Sequence, residues 1–453
     1  MFDRLDNLIH DGLDGMVDAL CGLLAIPSCK GAPSPDAPFG AETRRALDHL
    51  LALGDRMGFR TRCIDGMAGY VEFGTGDRMV AALGHLDVVP PGDGWSGDPF
   101  VPVKHADGRI VARGAIDDKG PVIACLFAMK ALRDAGWVPP VRIRLIAGLD
   151  EESGSACMAR YVRTEELPAA GFTPDADFPA IYAEKGILHL AFRYRNESGT
   201  SVADIRMKGG DRANVVPSRC SLSMDLGGGE RIDEVFAGVP AHGSTPQEGV
   251  NAIALAMAEA GSRLSARQER HPFVDFFNRR IGRGTDGSSI GMACSDKPSG
   301  ALTFNAGIID MDGGQAELTV DIRYPVTADR EALLSGLRSA AAPYGITLHV
   351  LASQAPLYLD PESPMLQSLT RLFREVTGLA GEPIAIGGGT YARTMPGIAA
   401  FGPNVEGEPE MAHKADEYIT VDRLETCARI YARAFVELGL QAAGGGALTG
   451  GAS

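Results

Sequence analysis

The 453-residue chain has no apolar run of about 18 residues or more, so no membrane-spanning helix is expected. Its opening, Met1-Phe2-Asp3-Arg4-Leu5-Asp6, lacks the basic start and apolar stretch of a signal peptide, and a cytoplasmic location is the expectation. No basic tract is present either. Lys and Arg total 43 against 58 Asp and Glu, a net charge of −15, and that field repels nucleic acid. The eight cysteines (Cys21, Cys29, Cys63, Cys125, Cys157, Cys220, Cys294, Cys427) show no CxxC spacing and mostly lie in apolar surroundings. They read as reduced, buried thiols, not as a zinc knuckle or a disulfide framework. The glycine loop at Gly387-Gly388-Gly389-Thr390 lacks the GK[ST] ending of a phosphate loop, which sets nucleotide binding aside. No internal repeat is evident. What remains is an acidic chain with 45% hydrophobic residues, long enough for two or three domains.

Hydrophobic periodicity supplies the elements. Residues 8–24 read as one amphipathic helix, with Ile9, Leu13, Met16, Leu20 and Leu23 at helical spacing, although Gly12 and Gly15 weaken it. Strand-like runs follow at Tyr70-Val71-Glu72-Phe73 and Met79-Val80-Ala81-Ala82-Leu83. Asp117 or Asp118 then caps a helix that runs to Ala135 and is closed by Gly136. Val141 to Gly148 is a further strand. This is α/β grammar, with chemistry expected at the carboxyl ends of the strands. From about Ile187 the texture changes. Ala316, Leu318, Val320 and Ile322 alternate with Glu317, Thr319, Asp321 and Arg323, the period of a half-exposed antiparallel strand. A helix is expected from Ala252 to Leu264. Past Ser363 the first pattern returns, with helices at Leu366 to Val376 and around Leu424, Ala428, Tyr431 and Phe435.

Acidic and imidazole residues gather at turns or strand ends in five clusters: Gly84-His85-Leu86-Asp87, Asp117-Asp118-Lys119-Gly120, Asp150-Glu151-Glu152, Pro174-Asp175-Ala176-Asp177 and Met411-Ala412-His413. Singly, each has an ordinary reading. His85 serves as a hydrogen-bonded core histidine, Asp117-Asp118 as a helix N-cap, and Glu151-Glu152 as a solvated strand end. Together they change the odds, because apolar strand ends rarely gather acids without a cation to compensate them. Two imidazoles and at least three carboxylates suit two borderline divalent ions such as zinc, cobalt or manganese. One further carboxylate beside a ligating one supplies a base. Asp87, two residues along an extended segment from His85, is placed to accept the proton of the other ring nitrogen.

These motifs carry a specific resemblance. Gly84-His85-Leu86-Asp87-Val88-Val89-Pro90 with Gly92-Asp93-Gly94-Trp95, Arg113-Gly114-Ala115-Ile116-Asp117-Asp118-Lys119-Gly120-Pro121, and Asp150-Glu151-Glu152-Ser153-Gly154 resemble the first three metal motifs of PepV-type dipeptidases. These belong to the metallopeptidase family of aminoacylase-1, carnosinase and glutamate carboxypeptidase. Phe172 to Pro179, Gly387 to Arg393 and His413-Lys414-Ala415-Asp416-Glu417 are similar to the remaining signatures. The resemblance spans roughly residues 5–440. It implies an α/β fold: a discontinuous two-zinc-peptidase-like catalytic domain (1–186 and 358–440), an inserted α+β lid domain (187–357) and a flexible tail (441–453).

The resemblance also implies roles. Asp117 bridges two divalent ions, zinc first with manganese or cobalt as alternatives. His85 and Asp175 complete one site, Glu152 and His413 the other, and Asp175, not Asp177, matches the family ligand. Glu151 is the general base acting on a water shared by the ions, and Asp87 orients His85. The two glutamates divide these roles because adjacent side chains of an extended segment diverge. No role attaches to Asp150, where several relatives carry Asn. In the lid, the segment from Gly238 to Pro246 resembles a histidine motif. It makes His242 an oxyanion donor, and Gly243, where relatives often carry Ala, is expected to be of no consequence for the imidazole. Asn214 and Arg323 match substrate-binding positions, Arg323 as a clamp on a terminal carboxylate. Read without the family, His242 is a capped turn and Arg323 a surface ion pair. Gly388, Gly389 and Thr390 offer backbone donors. The expected activity is hydrolysis of dipeptides with a free amino end, by an active monomer that takes small peptides and neither nucleic acid nor membrane as partner. The alternatives are an amidohydrolase acting on N-acyl amino acids, or a metal-binding protein without catalysis.

Overall fold

The computed structural model describes residues 1–196, 204–226 and 230–444. Of the tail expected from 441, residues 445–453 lie outside the described residues, and residues 441–443 instead complete the last helix, Val421–Ala443. The chain divides into two compact units. The first comprises Met1–Tyr182, Tyr358–Ile384 and Thr390–Ser453, and the second Ala183–Leu357 with Ala385–Gly389. The first junction thus falls after Tyr182, where sequence places it at 186, and the glycine-loop segment Ala385–Gly389 groups with the second unit. No described helix is long and apolar enough to cross a membrane.

The first unit is built on a mixed sheet. Arg60–Ile64, Ala68–Phe73, Arg142–Gly148, Met79–His85, Ala170–Thr173 and Ile398–Ala400 lie side by side in that order. Met79–His85 runs parallel to both its neighbours and is buried along its whole length, which explains why its sequence is apolar throughout and does not alternate. Its carboxyl end delivers His85. The helix Lys119–Asp134 packs against Val421–Ala443, and both contact the Met79–His85 strand. The single amphipathic helix expected over 8–24 is instead two, Phe2–Asp11 and Leu13–Leu24, interrupted at Gly12. The helix after Asp118 begins as expected, but Asp118 caps nothing with its side chain. Its Oδ2 accepts the His85 amide at 3.1 Å instead. Gly84 makes this possible, because a Cβ there would meet Asp118 Oδ2 and Val122 Cγ2, each at 2.5 Å.

The second unit is a seven-stranded, wholly antiparallel sheet, in the order Arg231–Ala237, Arg219–Asp225, Asp204–Gly209, Thr303–Asp312, Gln315–Tyr324, Gly186–Arg195 and Ile346–Gln354. The helices Ala252–Ala266 and Arg330–Ala341 contribute Ile253, Met257, Leu334 and Leu337 to its core. Gln315–Tyr324 departs from the half-exposed reading. Its outer half alternates, but Asp321 is fully buried and Arg323 nearly so. The alternation marks two faces of one strand, and at this end both are covered.

Candidate metal centre

Four of the site's residues stand where strands of the first unit's sheet end, while Asp117 and His413 come from loops. His85 closes the Met79–His85 strand, Asp117 precedes the helix Lys119–Asp134, Glu151 and Glu152 follow Arg142–Gly148, and Asp175 follows Ala170–Thr173. The Asp117–Asp118 peptide bond is cis. Two groups of ligand-type atoms converge, His85 with Asp117 and Asp175, and Asp117 with Glu152 and His413. Asp117 belongs to both. Its Oδ1 lies 3.0 Å from His85 Nε2 and its Oδ2 3.0 Å from His413 Nε2. Asp175 Oδ2 is 3.5 Å from His85 Nε2, and Glu152 Oε2 is 3.0 Å from His413 Nε2. Asp177 lies outside both groups, its carboxylate engaged by Asn404.

The donor set fits divalent cations. His85 Nε2 is fully buried and, despite its neighbours, makes no hydrogen bond among the described residues. The ligand-type atoms of each group lie within 4.8 Å of one another, close enough to share one cation. Electrostatics agree. Burial alone would push the His85 pKa down, but Asp117, Asp175 and Asp87 outweigh it and hold it well above the usual imidazole value. Asp117 and Glu152 lift His413 to about 11. Burial, followed by the Asp117 charge, raises both Glu152 and Asp175. Asp117 moves the other way, because both imidazoles overcome its own burial. A cation held there would compensate the acids and would compete with protons for both imidazoles.

Glu151 belongs to neither group. Burial, then the charges of Asp175, Glu152 and Asp117 against the favourable one of His85, raise its pKa well above that of an ordinary glutamate. The separation of the two glutamates differs from the expected extended pleat, because residues 151–154 form a turn. Asp87 holds that turn. Its Oδ1 accepts the Glu151 amide and its Oδ2 the Glu152 amide, each at 3.1 Å. This corrects the expected contact with His85, whose Nδ1 meets the Asp87 backbone carbonyl at 2.9 Å while the carboxylate stands at 3.6 Å. Asp87→Ala should therefore loosen Glu151 and Glu152 together. The expected loss in metal affinity or kcat is about 10- to 100-fold, the range for residues that support ligands, read by metal titration and steady-state rates.

Several supporting residues carry no role from sequence. Glu417 is fully buried and joins the His413 segment to the Asp117 segment. Its Oε1 accepts the amides of Ile116 (2.9 Å) and Asp117 (3.2 Å), and its Oε2 accepts Arg113 at 2.6 Å. Burial, then the nearby Asp117 charge, raises Glu417 to about 7. Arg113 in turn lies over the Trp95 ring, 5.1 Å from its centroid. His413 and Asp416 adopt left-handed φ values of 64° and 56°, a conformation costing about 1–3 kcal/mol outside glycine. Asp416 is tied down by the Ser96 amide at 2.9 Å and by the Ser96 hydroxyl. Asp150, left without a role by its sequence, accepts Lys30 Nζ at 2.7 Å and the Ala156 amide at 3.0 Å, bracing the turn of Glu151 from the other side. The signal for Glu417 and Asp150 was their position inside the motifs. Their partners are distant in sequence, and no spacing rule names them.

The remaining predicted residues lie in the second unit, except Thr390, whose hydroxyl accepts the Ala392 amide at 3.2 Å in the first. His242 Nδ1 accepts the Ser244 amide at 3.2 Å and stands 2.6 Å from the Ser244 hydroxyl. In the neutral ring the proton then sits on Nε2, as an oxyanion donor requires. Asn214 is half-buried, and its carbonyl accepts the Gly243 amide at 2.7 Å. Arg323 is no surface ion pair. It is buried against Asp321, with its NH1 donating to the Gly387 carbonyl at 3.2 Å. Gly388 is half-buried and Gly389 exposed.

Residues 81–437 match the family described as Peptidase family M20/M25/M40. A Bacillus subtilis (strain 168) protein described as "Putative dipeptidase YtjP" is 36% identical over 432 residues, covering 89% of this chain and 92% of that protein. Among solved structures, human carnosine dipeptidase 1 aligns with a TM-score of 0.61 at 17% identity, covering 97% of this chain and 99% of that one. The di-peptidase Dug1p from Saccharomyces cerevisiae aligns with a TM-score of 0.61 at 15% identity, covering 97% and 99%. At these identities the structural likeness speaks for the fold.

Proposed function

This chain belongs to peptidase family M20/M25/M40, and on that premise we propose that it is a metal-dependent dipeptidase holding two divalent ions and cleaving dipeptides with a free amino end. The observation that carries the two-ion reading is the sharing of Asp117, one oxygen toward His85 and the other toward His413. His85 and Asp175 would hold one ion, Glu152 and His413 the other, and Asp117 both. The donors are imidazole nitrogens and carboxylate oxygens without thiolate, which suits zinc first and manganese or cobalt next. When bound, such ions supply Lewis acidity toward a water and toward the scissile carbonyl.

The chain's own residues do the rest. Glu151, its proton affinity raised by burial among acids, takes a proton from the attacking water and passes it to the leaving amine. A C–O bond forms, the C–N bond breaks, and two amino acids leave. His242 Nε2–H donates to the carbonyl oxygen as it gains charge. Arg323 grips the substrate's terminal carboxylate, and Asn214 with the Gly388, Gly389 and Thr390 backbone lines the peptide. The buried base argues against a metal-binding protein without catalysis, since holding ions needs the ligands but not Glu151. The eight cysteines are all free, which agrees with a reducing, cytoplasmic setting.

Incubation of the metal-loaded protein with a dipeptide and with an N-acetyl amino acid, followed by measurement of free amine, tests the reaction. Release from the dipeptide alone is expected. Release only from the acylated compound would identify an amidohydrolase, and release from neither a protein without catalysis. We further propose a working monomer, in which one chain supplies both Glu151 and His242. Mixing inactive Glu151→Ala with inactive His242→Ala protein should then recover no activity. Recovery would require sites shared between chains.

A further inference from the structure

Arg323 is held from beneath by a row of polar side chains that sequence did not single out. Asp321 pairs in register with His189 on one neighbouring strand and with Asn305 on the other. Residues directly opposite one another across a ladder share a face of the sheet, so His189, Asp321 and Asn305 form one transverse line. Arg323, two residues along from Asp321, lies on that face too. Asp321 and Asn305 are essentially inaccessible to solvent.

Each member of the line has a defined task. Arg323 Nε donates to Asp321 Oδ1 and Oδ2 at 2.9 and 3.0 Å, and its NH2 donates to Oδ2 at 2.9 Å. His189 Nε2 stands 3.5 Å from Asp321 Oδ1. Asn305 donates to the Ala213 and Val215 carbonyls at 2.8 and 3.0 Å, fixing the backbone on either side of Asn214. Gly243 sits directly over Asp321. A Cβ at that position would meet Asp321 Oδ2 at 2.5 Å and the Asn214 backbone at 3.0 Å. An alanine there would press on the carboxylate that holds Arg323, a consequence separate from the imidazole that the sequence expectation concerned.

A guanidinium has five N–H donors in a fixed plane. Asp321 takes the Nε–H and one NH2 hydrogen, and the Gly387 carbonyl takes one on NH1. One hydrogen on each terminal nitrogen remains, and N–H groups on those two nitrogens can match a carboxylate. We propose that Asp321 is a positioning residue for dipeptide recognition: it locks the Arg323 guanidinium so that its remaining N–H pair selects substrates ending in a free carboxylate. This rests on the reading of Arg323 as the carboxylate grip.

The test compares a dipeptide with its C-terminal amide on the metal-loaded enzyme. Arg323→Ala should abolish the preference for the free acid. Asp321→Asn should raise KM for the dipeptide by on the order of tenfold, the size of one misplaced charge-assisted contact, with kcat less affected and the preference over the amide reduced. Adding Asp321→Asn to Arg323→Ala should change the preference no further. If Arg323→Ala loses the preference while Asp321→Asn keeps it, or if Asp321→Asn weakens both substrates equally, the positioning role is overturned and the grip stands. If Arg323→Ala keeps the preference, the grip itself is wrong. Should Asp321→Asn fail to give a cooperative thermal transition, Gly243→Ala makes the same test with both charges retained. A reduced preference is expected, and an unchanged one overturns the proposal.

Discussion

Replacing Glu151 with alanine is expected to lower kcat by about 10²- to 10⁴-fold, the usual consequence of losing a general base, while the protein keeps its metal. Glu152→Ala is expected to lose metal first and activity as a result. The two residues are adjacent, carry the same side chain and hang from the same carboxylate, Asp87, so composition cannot account for a difference between them. What separates them is direction. Glu152 closes a group with Asp117 and His413, whereas Glu151 joins no such group, and burial, then the charges of Asp175, Glu152 and Asp117 against that of His85, raises its affinity for a proton. A base at this position needs that affinity to take a proton from water near neutral pH. Metal analysis and steady-state rates on the two variants read the division directly. Metal loss in Glu151→Ala with retention in Glu152→Ala would mean that the roles are exchanged.

The parts of the fold that were legible in sequence are those specified by local periodicity. The Met79–His85 strand, the helix after Asp118 and the helix Val421–Ala443 follow from apolar spacing, since each must bury one face or the whole of itself. The breaks were less legible. Gly12 divides one amphipathic pattern into two helices because the hydrophobic stripe continues across it. At the site, the residues that converge were readable as motifs, but their supports were not. Asp118 looks like a helix cap and instead receives the His85 amide across Gly84. Asp87 looks like a carboxylate partner for His85, but it meets the ring through its backbone carbonyl while its carboxylate holds the Glu151–Glu152 turn. Glu417 and Asp321 act through residues from other strands or from segments hundreds of positions away. Such pairings depend on sheet order and register, which no short window of sequence contains. Gly243 is the clearest case, because its importance lies in what stands beneath it.

On the proposed reading, peptide hydrolysis by this protein depends on two ions sharing Asp117. The most direct measurement strips the protein with a chelator, then adds back zinc, manganese or cobalt in known amounts while following dipeptide hydrolysis and the thermal transition together. Stripped protein should be inactive. Because a cation compensates the buried acids and binds the folded state alone, the transition should move to higher temperature as metal is added. Activity and stability should both level off at two equivalents per chain. Full activity in the stripped protein, or a plateau at one equivalent, would contradict the claim.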